Sequence, residues 1–332
     1  MKRSAFLLLL LLLACGENAA PAPANAAKTN PPLRVGMDLW AGFYPLLLAD
    51  ELGYLKEGGV SVDIKIPSDT SAMVRDFSAA RFDGICCSLA DVVIATRDTP
   101  DLKMTLFSDM SEGGDHLIAR PGLAPDAPLK GLHFSTHTGS FGELFIADFL
   151  KKKGLTFKDI SLVHVDAADA PEVMKSGKVD VVHTWSPYSE TAVEAGGRII
   201  ATSKECPGLI CDGLILRQDS LANRQAEWRH LHASWYRALD WWQKNPEAGN
   251  KMILGHLTKM AAASGDKRLD LKLEDISTAG ITLISLAEAH KAMKDGGSLE
   301  KTSRIYVDHF NATGRITHFP VVKHIIDDSL LP

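Results

Sequence analysis

Long apolar runs are almost missing from this chain: the single one, Ala5 to Ala14, is followed by nothing comparable. At about ten residues it is half of the ~20 that a helix needs to cross a bilayer, so no membrane-spanning helix is expected. It follows Lys2 and Arg3 and ends at Leu12-Leu13-Ala14-Cys15, the order of an export signal: a basic start, an apolar stretch and a small residue before the cut. Residues 1–14 are therefore expected to be a signal peptide, with Cys15 the lipid-bearing first residue of the mature chain. Residues 15–32, rich in Ala, Pro and Asn, read as a solvated tether. The body would then lie outside the cytoplasm, lipid-anchored to a bacterial membrane, facing the periplasm or the cell surface.

An excess of positive charge is also lacking. Lys and Arg number 36 against 41 Asp and Glu, for a net charge of −5, which excludes a phosphate-binding face of clustered basic residues and with it a nucleic-acid partner. Catalytic signatures are absent: there is no Gly-x-Ser-x-Gly elbow, P-loop, Gly-x-Gly-x-x-Gly or His-Glu-x-x-His. His133 and His137 stand four apart, but on an expected strand and turn, which does not set them side by side as helical zinc ligands would be. Neither a metal nor a cofactor is expected, and no enzymatic activity. Cysteine is scarce; beyond Cys15 there are only Cys86, Cys87, Cys206 and Cys211. The last two enclose a short loop and are either bridged in an oxidising compartment or free thiols, since spacing does not supply the Cβ geometry. Cys86 and Cys87, in an apolar run, read as small buried hydrophobes.

The chain does have enough apolar residues, 45%, for about two domains. Short β-branched runs alternate with helical periodicity, the pattern of parallel sheets with helical crossovers. Strands are expected at Leu33 to Met37, Val60 to Ile66, Gly84 to Cys87 and Met104 to Phe107, with helices at Pro45 to Leu55, Ala72 to Ala80 and Leu89 to Arg97 between them. A second series runs from Leu132 to Ala201, so two α/β units share the chain. After Leu216 the pattern turns helical, and Trp228, Leu231, Trp235, Leu239 and Trp242 recur at spacings of three and four, which places them on one core face. Segments His116 to Arg120 and Gly213 to Arg217 are expected to cross between the units. This gives a first lobe of residues 33–118 and 213–332 and a second of 119–212.

In open parallel sheets ligands bind beyond the carboxyl ends of the strands, where helix N-termini offer free N–H groups. The turn after the first strand holds Trp40, Gly42 and Phe43: two flat apolar walls and a glycine that permits close backbone approach. Similar turns hold Ser68, Ser88 with Asp91, and Thr138-Gly139-Ser140, in which Ser140 and Glu143 fit a capping box. Trp185, Ser186, Pro187 and Tyr188 form another turn; Ser186 is expected to cap and Pro187 to open its helix. Asp115 and Asp212 stand at the expected crossings.

Leu52-Gly53-Tyr54-Leu55-Lys56-Glu57-Gly58-Gly59-Val60, Leu129-Lys130-Gly131-Leu132, Thr138-Gly139-Ser140 and Gly177-Lys178-Val179-Asp180, leading to Trp185-Ser186-Pro187-Tyr188, resemble the solute-binding proteins of ABC importers. The group is the nitrate, sulfonate and taurine binders, with relatives that bind pyrimidine precursors. The resemblance spans Leu33 to about Leu254. It implies a two-lobed α/β fold of the type II periplasmic-binding-protein kind, each lobe a parallel-type sheet flanked by helices and the two joined by two hinge crossings. It also implies a monomer that closes on a small solute and delivers it to an ABC permease; a solute sensor acting on another protein would use the same closure. The expected solute is taurine or a similar aliphatic sulfonate, with a nitrogen heterocycle such as a thiamine pyrimidine precursor as the alternative. A thiamine-pyrimidine synthase uses a related fold with a cysteine-rich motif, of which Cys86-Cys87 is a faint echo. Family members commonly carry an acidic residue where Ser186 stands. The acids Asp38, Asp69, Asp115, Glu143 and Asp212 crowd the candidate loops, which disfavours a purely anionic solute.

Overall fold

A computed structural model describes residues 30–99, 101–317, 320 and 324–332; the expected signal, Cys15 and most of the tether lie outside the described residues. From Pro32 onward the chain is one unit built on two sheets. Eleven strands are formed among the described residues: β1 Leu33–Met37, β2 Val62–Lys65, β3 Gly84–Ser88, β4 Leu102–Ser111, β5 Asp115–Ala119, β6 His133–Thr136, β7 Ser161–His164, β8 Val181–Trp185, β9 Arg198–Thr202, β10 Cys211–Arg217 and β11 Ile281–Leu283. The first sheet has the order β11-β4-β10-β3-β1-β2 and the second β7-β6-β8-β5-β9.

Each sheet has a parallel heart, β2-β1-β3 in one and β7-β6-β8 in the other. Helices Tyr44–Glu51, Thr70–Ser78 and Leu89–Ala95 follow the strands of the first, and Phe141–Lys152, Ala170–Lys175 and Tyr188–Glu194 those of the second. The parallel hearts are covered by helices, which is why their strands read as apolar runs without alternation. Antiparallel strands extend both hearts: β10 lies between β3 and β4, and β5 between β8 and β9.

The crossings fall elsewhere than the sequence leads one to expect. The chain leaves the first sheet after Ser111 and enters the second at Asp115, then leaves it after Thr202 and rejoins the first at Cys211. His116 to Ala119 lies within β5 and Gly213 to Arg217 within β10. Both segments are apolar enough to be paired on two sides; Leu117, Ile118, Leu214 and Leu216 are fully buried. The true first crossing is Glu112-Gly113-Gly114, whose Glu112 and Gly114 N–H groups donate to the Gly280 carbonyl at 2.8 and 2.9 Å. Glycine is required twice here. Gly113 has φ of 128°, and a Cβ on Gly114 would come within 2.6 Å of the Trp40 ring.

The helical C-terminal region covers the first sheet. Helix Gln225–Lys244 buries Trp228, Leu231, Trp235, Leu239 and Trp242, the stripe expected from their spacing. Its His232 is wholly buried between the Trp228 carbonyl (2.6 Å) and Thr105 on β4 (3.0 Å); burial lowers its pKa to about 4 and holds it neutral. Helix Ser298–Ala312 packs on Leu89–Ala95 and also on Phe141–Lys152, so it touches helices of both sheets. No helix among the described residues is long and apolar enough to cross a membrane.

Candidate solute cleft

The carboxyl ends of both parallel hearts converge on one cavity. β1 and its turn supply Asp38, Trp40 and Phe43; β3 and the helix after it supply Cys87, Ser88 and Asp91; β10 supplies Asp212. The second sheet faces them with Asp115, Thr136, His137, Ser140, Phe141, His183 and Trp185. The cavity volume is about 30 Å³, room for two or so waters at the ~10–15 Å³ each requires. A larger solute therefore has to enter by a parting of the walls.

Carboxyl groups dominate this lining, and among the described residues no Lys or Arg shares it. Asp109, fully buried on β4 behind Trp40, accepts hydrogen bonds from Trp40 Nε1 (2.8 Å) and Ser108 Oγ (2.7 Å), yet burial pushes it up to about 6. Its cross-strand neighbour Asp212 is driven well above the usual carboxylate range, first by burial and then by the charge of Asp109. Both acids are thereby held toward their protonated forms. Asp38 is also raised to about 6 by burial, although Thr70 Oγ1 donates to it at 2.9 Å. Among the described residues, the side chains in this lining that can carry a positive charge are the imidazoles of His137 and His183.

Asp115 has a partner. His183 Nε2 lies 3.0 Å from its Oδ1, both residues are 2% exposed, and His183 Nδ1 meets Thr136 Oγ1 at 2.9 Å. The Phe141 and Phe145 rings stand edge-on to the imidazole at 5.4 and 5.6 Å and fix its plane. The Trp185 ring lies 5.8 Å from that of Phe141, and its buried Nε1 donor has no protein partner. A buried N–H in that condition costs about 1–3 kcal/mol unless something accepts from it.

Of the residues singled out in the sequence, Trp40, Phe43, Ser88, Asp115, Ser140, Trp185 and Asp212 line the cavity, and Gly42, Ser68, Thr138 and Tyr188 do not. Gly42 stands behind it, making room for Asp109: a Cβ there would lie 1.8 Å from Asp109 Oδ2. Gly42→Ala is thus expected to displace that carboxylate, break the Trp40–Asp109 bond and lower the thermal midpoint by several degrees, measurable by calorimetry. Ser68 is exposed and donates to Asp69; Thr138 contacts His164; Tyr188 flanks Trp185 at 6.5 Å.

Two expected caps differ. Ser140 makes no side-chain cap, and Glu143 instead accepts from Gly139 N–H (2.8 Å) and pairs with Arg315. The helix after Trp185 begins at Tyr188, with Pro187 flanking it. Ser88 and Asp91 do form a complete capping box. Cys206 and Cys211 are free thiols, donating to the Ser203 and Gly208 carbonyls. Sequence reading missed Thr70, Thr136, His137, Phe141 and His183 as cavity residues. The polar pair His183-Thr184 inside an otherwise apolar β8 was the available signal.

A family model described as NMT1-like matches residues 26–254, a span holding every cavity residue. The chain belongs to the NMT1-like family. Relatives of this family member include a putative binding protein of Brucella abortus (strain 2308), 25% identical over 197 residues, 58% of each chain. Another is a putative ABC transporter periplasmic binding protein of Brachyspira hyodysenteriae, 23% identical over 239 residues, 67% of this chain and 66% of that one. The chain thus spans about 58% of the length of the Brucella relative. Among solved structures, the alkanesulfonate-binding protein SsuA of Xanthomonas axonopodis pv. citri bound to MOPS is similar with a TM-score of 0.72 at 15% identity, covering 91% of this chain and 99% of that one. The nitrate-binding NrtA of Synechocystis PCC 6803 gives 0.68 at 14%, covering 90% and 86%. The desulfurization enzyme DSZB gives 0.64 at 11%, covering 90% and 97%. The NMT1-like chain therefore has the mixed α/β fold of periplasmic binding proteins, with two sheets flanked by helices.

Proposed function

We propose that this protein is the solute-binding component of an ABC importer, and that its solute is a small, flat compound bearing a protonated or N–H-donating nitrogen. The observation that carries the solute class is the lining of Asp38, Asp91, Asp115 and Asp212, with Asp109 behind, and no Lys or Arg among them. A sulfonate or nitrate placed there would meet acids with no Lys or Arg beside them, at a cost of about 4 kcal/mol for each ionised carboxylate at 4 Å in partly buried surroundings. A cation or strong donor instead adds positive charge beside those acids. Trp40, Phe43, Phe141 and Trp185 supply apolar walls for a ring, and the free Trp185 Nε1 asks for an acceptor on the same solute. An amino-substituted nitrogen heterocycle meets all three demands, and taurine leaves its sulfonate without a counter-charge.

In this reading the lobes are the two sheets with their helices, the crossings Glu112–Gly114 and Ser203–Ile210 serve as the hinge, and solute shifts the population toward the closed form. The names of the relatives support delivery to a permease. The N-terminal sequence supports a body tethered outside the cytoplasm through Cys15. An enzymatic role through Cys87 is disfavoured because burial and the neighbouring Asp91 raise its thiol, the opposite of what activates a nucleophile.

A thermal-shift screen against aminopyrimidines, aliphatic amines, taurine, alkanesulfonates and nitrate tests the solute class; the nitrogen bases are expected to give the largest upward shifts. For the strongest ligand, Trp40→Ala combined with Trp185→Ala is expected to weaken binding by about 100-fold or more, each stacking wall being worth roughly 1–3 kcal/mol. Unchanged affinity in a folded double variant would remove this cavity from the account.

A further inference from the structure

His137 does not pair with His133, four residues back, but with two groups brought to it by the parallel partner strand. It follows β6, while His164 ends β7 and Asp166 comes two residues later. We infer that His137, His164 and Asp166 bind one divalent transition ion of the zinc type at the mouth of the cleft. This goes beyond the solute reading and does not depend on it.

The ligand atoms of the three residues all lie within 4.8 Å of one another. His137 Nδ1 is 2.6 Å from Asp166 Oδ1, and His164 Nε2 is 3.8 Å from Asp166 Oδ2. Nitrogen and oxygen ligands held 2.0–2.2 Å from a tetrahedral ion stand roughly 3.4 Å apart, so the two contacts bracket the required spacing and shifts below about 1 Å reach it. The ion would take the place of the proton now held between His137 and Asp166. Imidazole with carboxylate is a donor set that suits zinc and its first-row neighbours.

Thr138 sets the state of the His164 ring. Thr138 meets His164 Nδ1 with its N–H at 3.2 Å and its hydroxyl at 3.0 Å. The N–H can only donate, so Nδ1 accepts and the neutral ring carries its proton on Nε2, which an ion binding there would displace. From the other side of the cleft Ser71 Oγ, on the first-sheet helix, lies 3.3 Å from Asp166 Oδ2 and 3.4 Å from His137 Nδ1. Three protein ligands leave one position open, next to an element of the opposite sheet. A bound ion would therefore hold the two sides together. His137 and His164 are 16% and 48% exposed at the side chain, so an ion can reach them from solvent.

The test is calorimetric titration of Zn²⁺ into the whole mature protein in a non-chelating buffer, with Co²⁺ absorption as a second readout of nitrogen ligation. One ion per chain is expected, with the Co²⁺ bands of a low-coordinate site. His164→Ala, at a half-exposed ring, is expected to weaken binding by at least the roughly 100-fold that losing even an outer partner of a ligand can cost, with its thermal midpoint unchanged. His133→Ala should bind as wild type. Absence of binding by the wild-type protein, equal binding by His164→Ala, or equal weakening by His133→Ala would each overturn the assignment.

Discussion

Asp115→Asn is expected to bind solute about 100-fold more weakly than wild type while keeping nearly the same thermal midpoint, and Asp115→Ala to lose both binding and stability. The difference follows from the surroundings of this side chain. Asp115 and His183 are both 2% exposed and joined at 3.0 Å, and His183 has its other nitrogen on Thr136. Asparagine can still meet His183 across that distance, so the packing survives and only the negative charge is lost. Alanine leaves the imidazole buried without its partner, a change that costs about 3–5 kcal/mol when one member of a buried pair is removed. Hydrogen bonds to charged groups contribute about 1.5–3 kcal/mol each, and a buried cationic solute deprived of one carboxylate loses that and part of its charge balance. Calorimetric titration and thermal unfolding of the two variants measure the effects separately. Wild-type affinity in Asp115→Asn would mean that the solute does not use this carboxylate.

Solute affinity is expected to fall steeply below pH 6. Asp38 and Asp109 titrate at about 6 in the unliganded protein because burial penalises their charged forms. A bound cation would stabilise those charged forms and pull both values down. Above pH 6 the acids are already ionised and affinity is flat; below pH 6 each must first give up a proton, which weakens binding by up to about tenfold per pH unit per group. The unliganded protein should show the opposite trend in stability. For an acid whose folded value is raised, the folded state holds the proton more tightly than the unfolded one. Stability from that group therefore grows as pH falls from 7 toward 4 and is lost as pH rises through 6. Asp38→Asn should abolish its share of both effects, raising the unliganded midpoint at pH 7.5 while weakening binding. A solute recognised as an anion would bind more tightly at pH 5 than at pH 7.5.

Much of the architecture was legible because parallel strands and their crossovers write themselves as apolar runs and helical stripes. β1 spans the expected residues, and the tryptophans of Gln225–Lys244 sit on the buried face that their spacing marks. β5 was not legible as a strand: its five residues follow two glycines, and composition there reads as a crossing although its pairing with β8 and β9 makes it the middle of a sheet. β11, three residues long, is set by pairing with β4 and carries no period of its own.

The site was readable where it sits on turns after strands, since Trp40, Ser88, Ser140 and Trp185 occupy the positions where open sheets present ligands. It was not readable where the decisive neighbour comes from another part of the chain. Glu143 has the spacing of a cap to Ser140 but is drawn to Arg315, 172 residues away. Asp109 and Asp212 become one acid pair only because β4 and β10 align. The same holds for His137, whose sequence neighbour His133 is a poorer match than His164 on the adjoining strand. An expectation of a sulfonate rested on family resemblance; the absence of Lys and Arg from the cavity among the described residues, visible only once the loops are assembled, turns the reading toward a nitrogen base.

Side-by-side calorimetry of an aminopyrimidine and an alkanesulfonate with the unmodified protein, at pH 7.5 and pH 5.0, tests the charge of the solute most directly. The carboxylate-lined cleft predicts saturable binding of the nitrogen base at pH 7.5, at least tenfold weaker at pH 5.0, and no measurable binding of the sulfonate at either. Tight sulfonate binding that strengthens at pH 5.0 would contradict it.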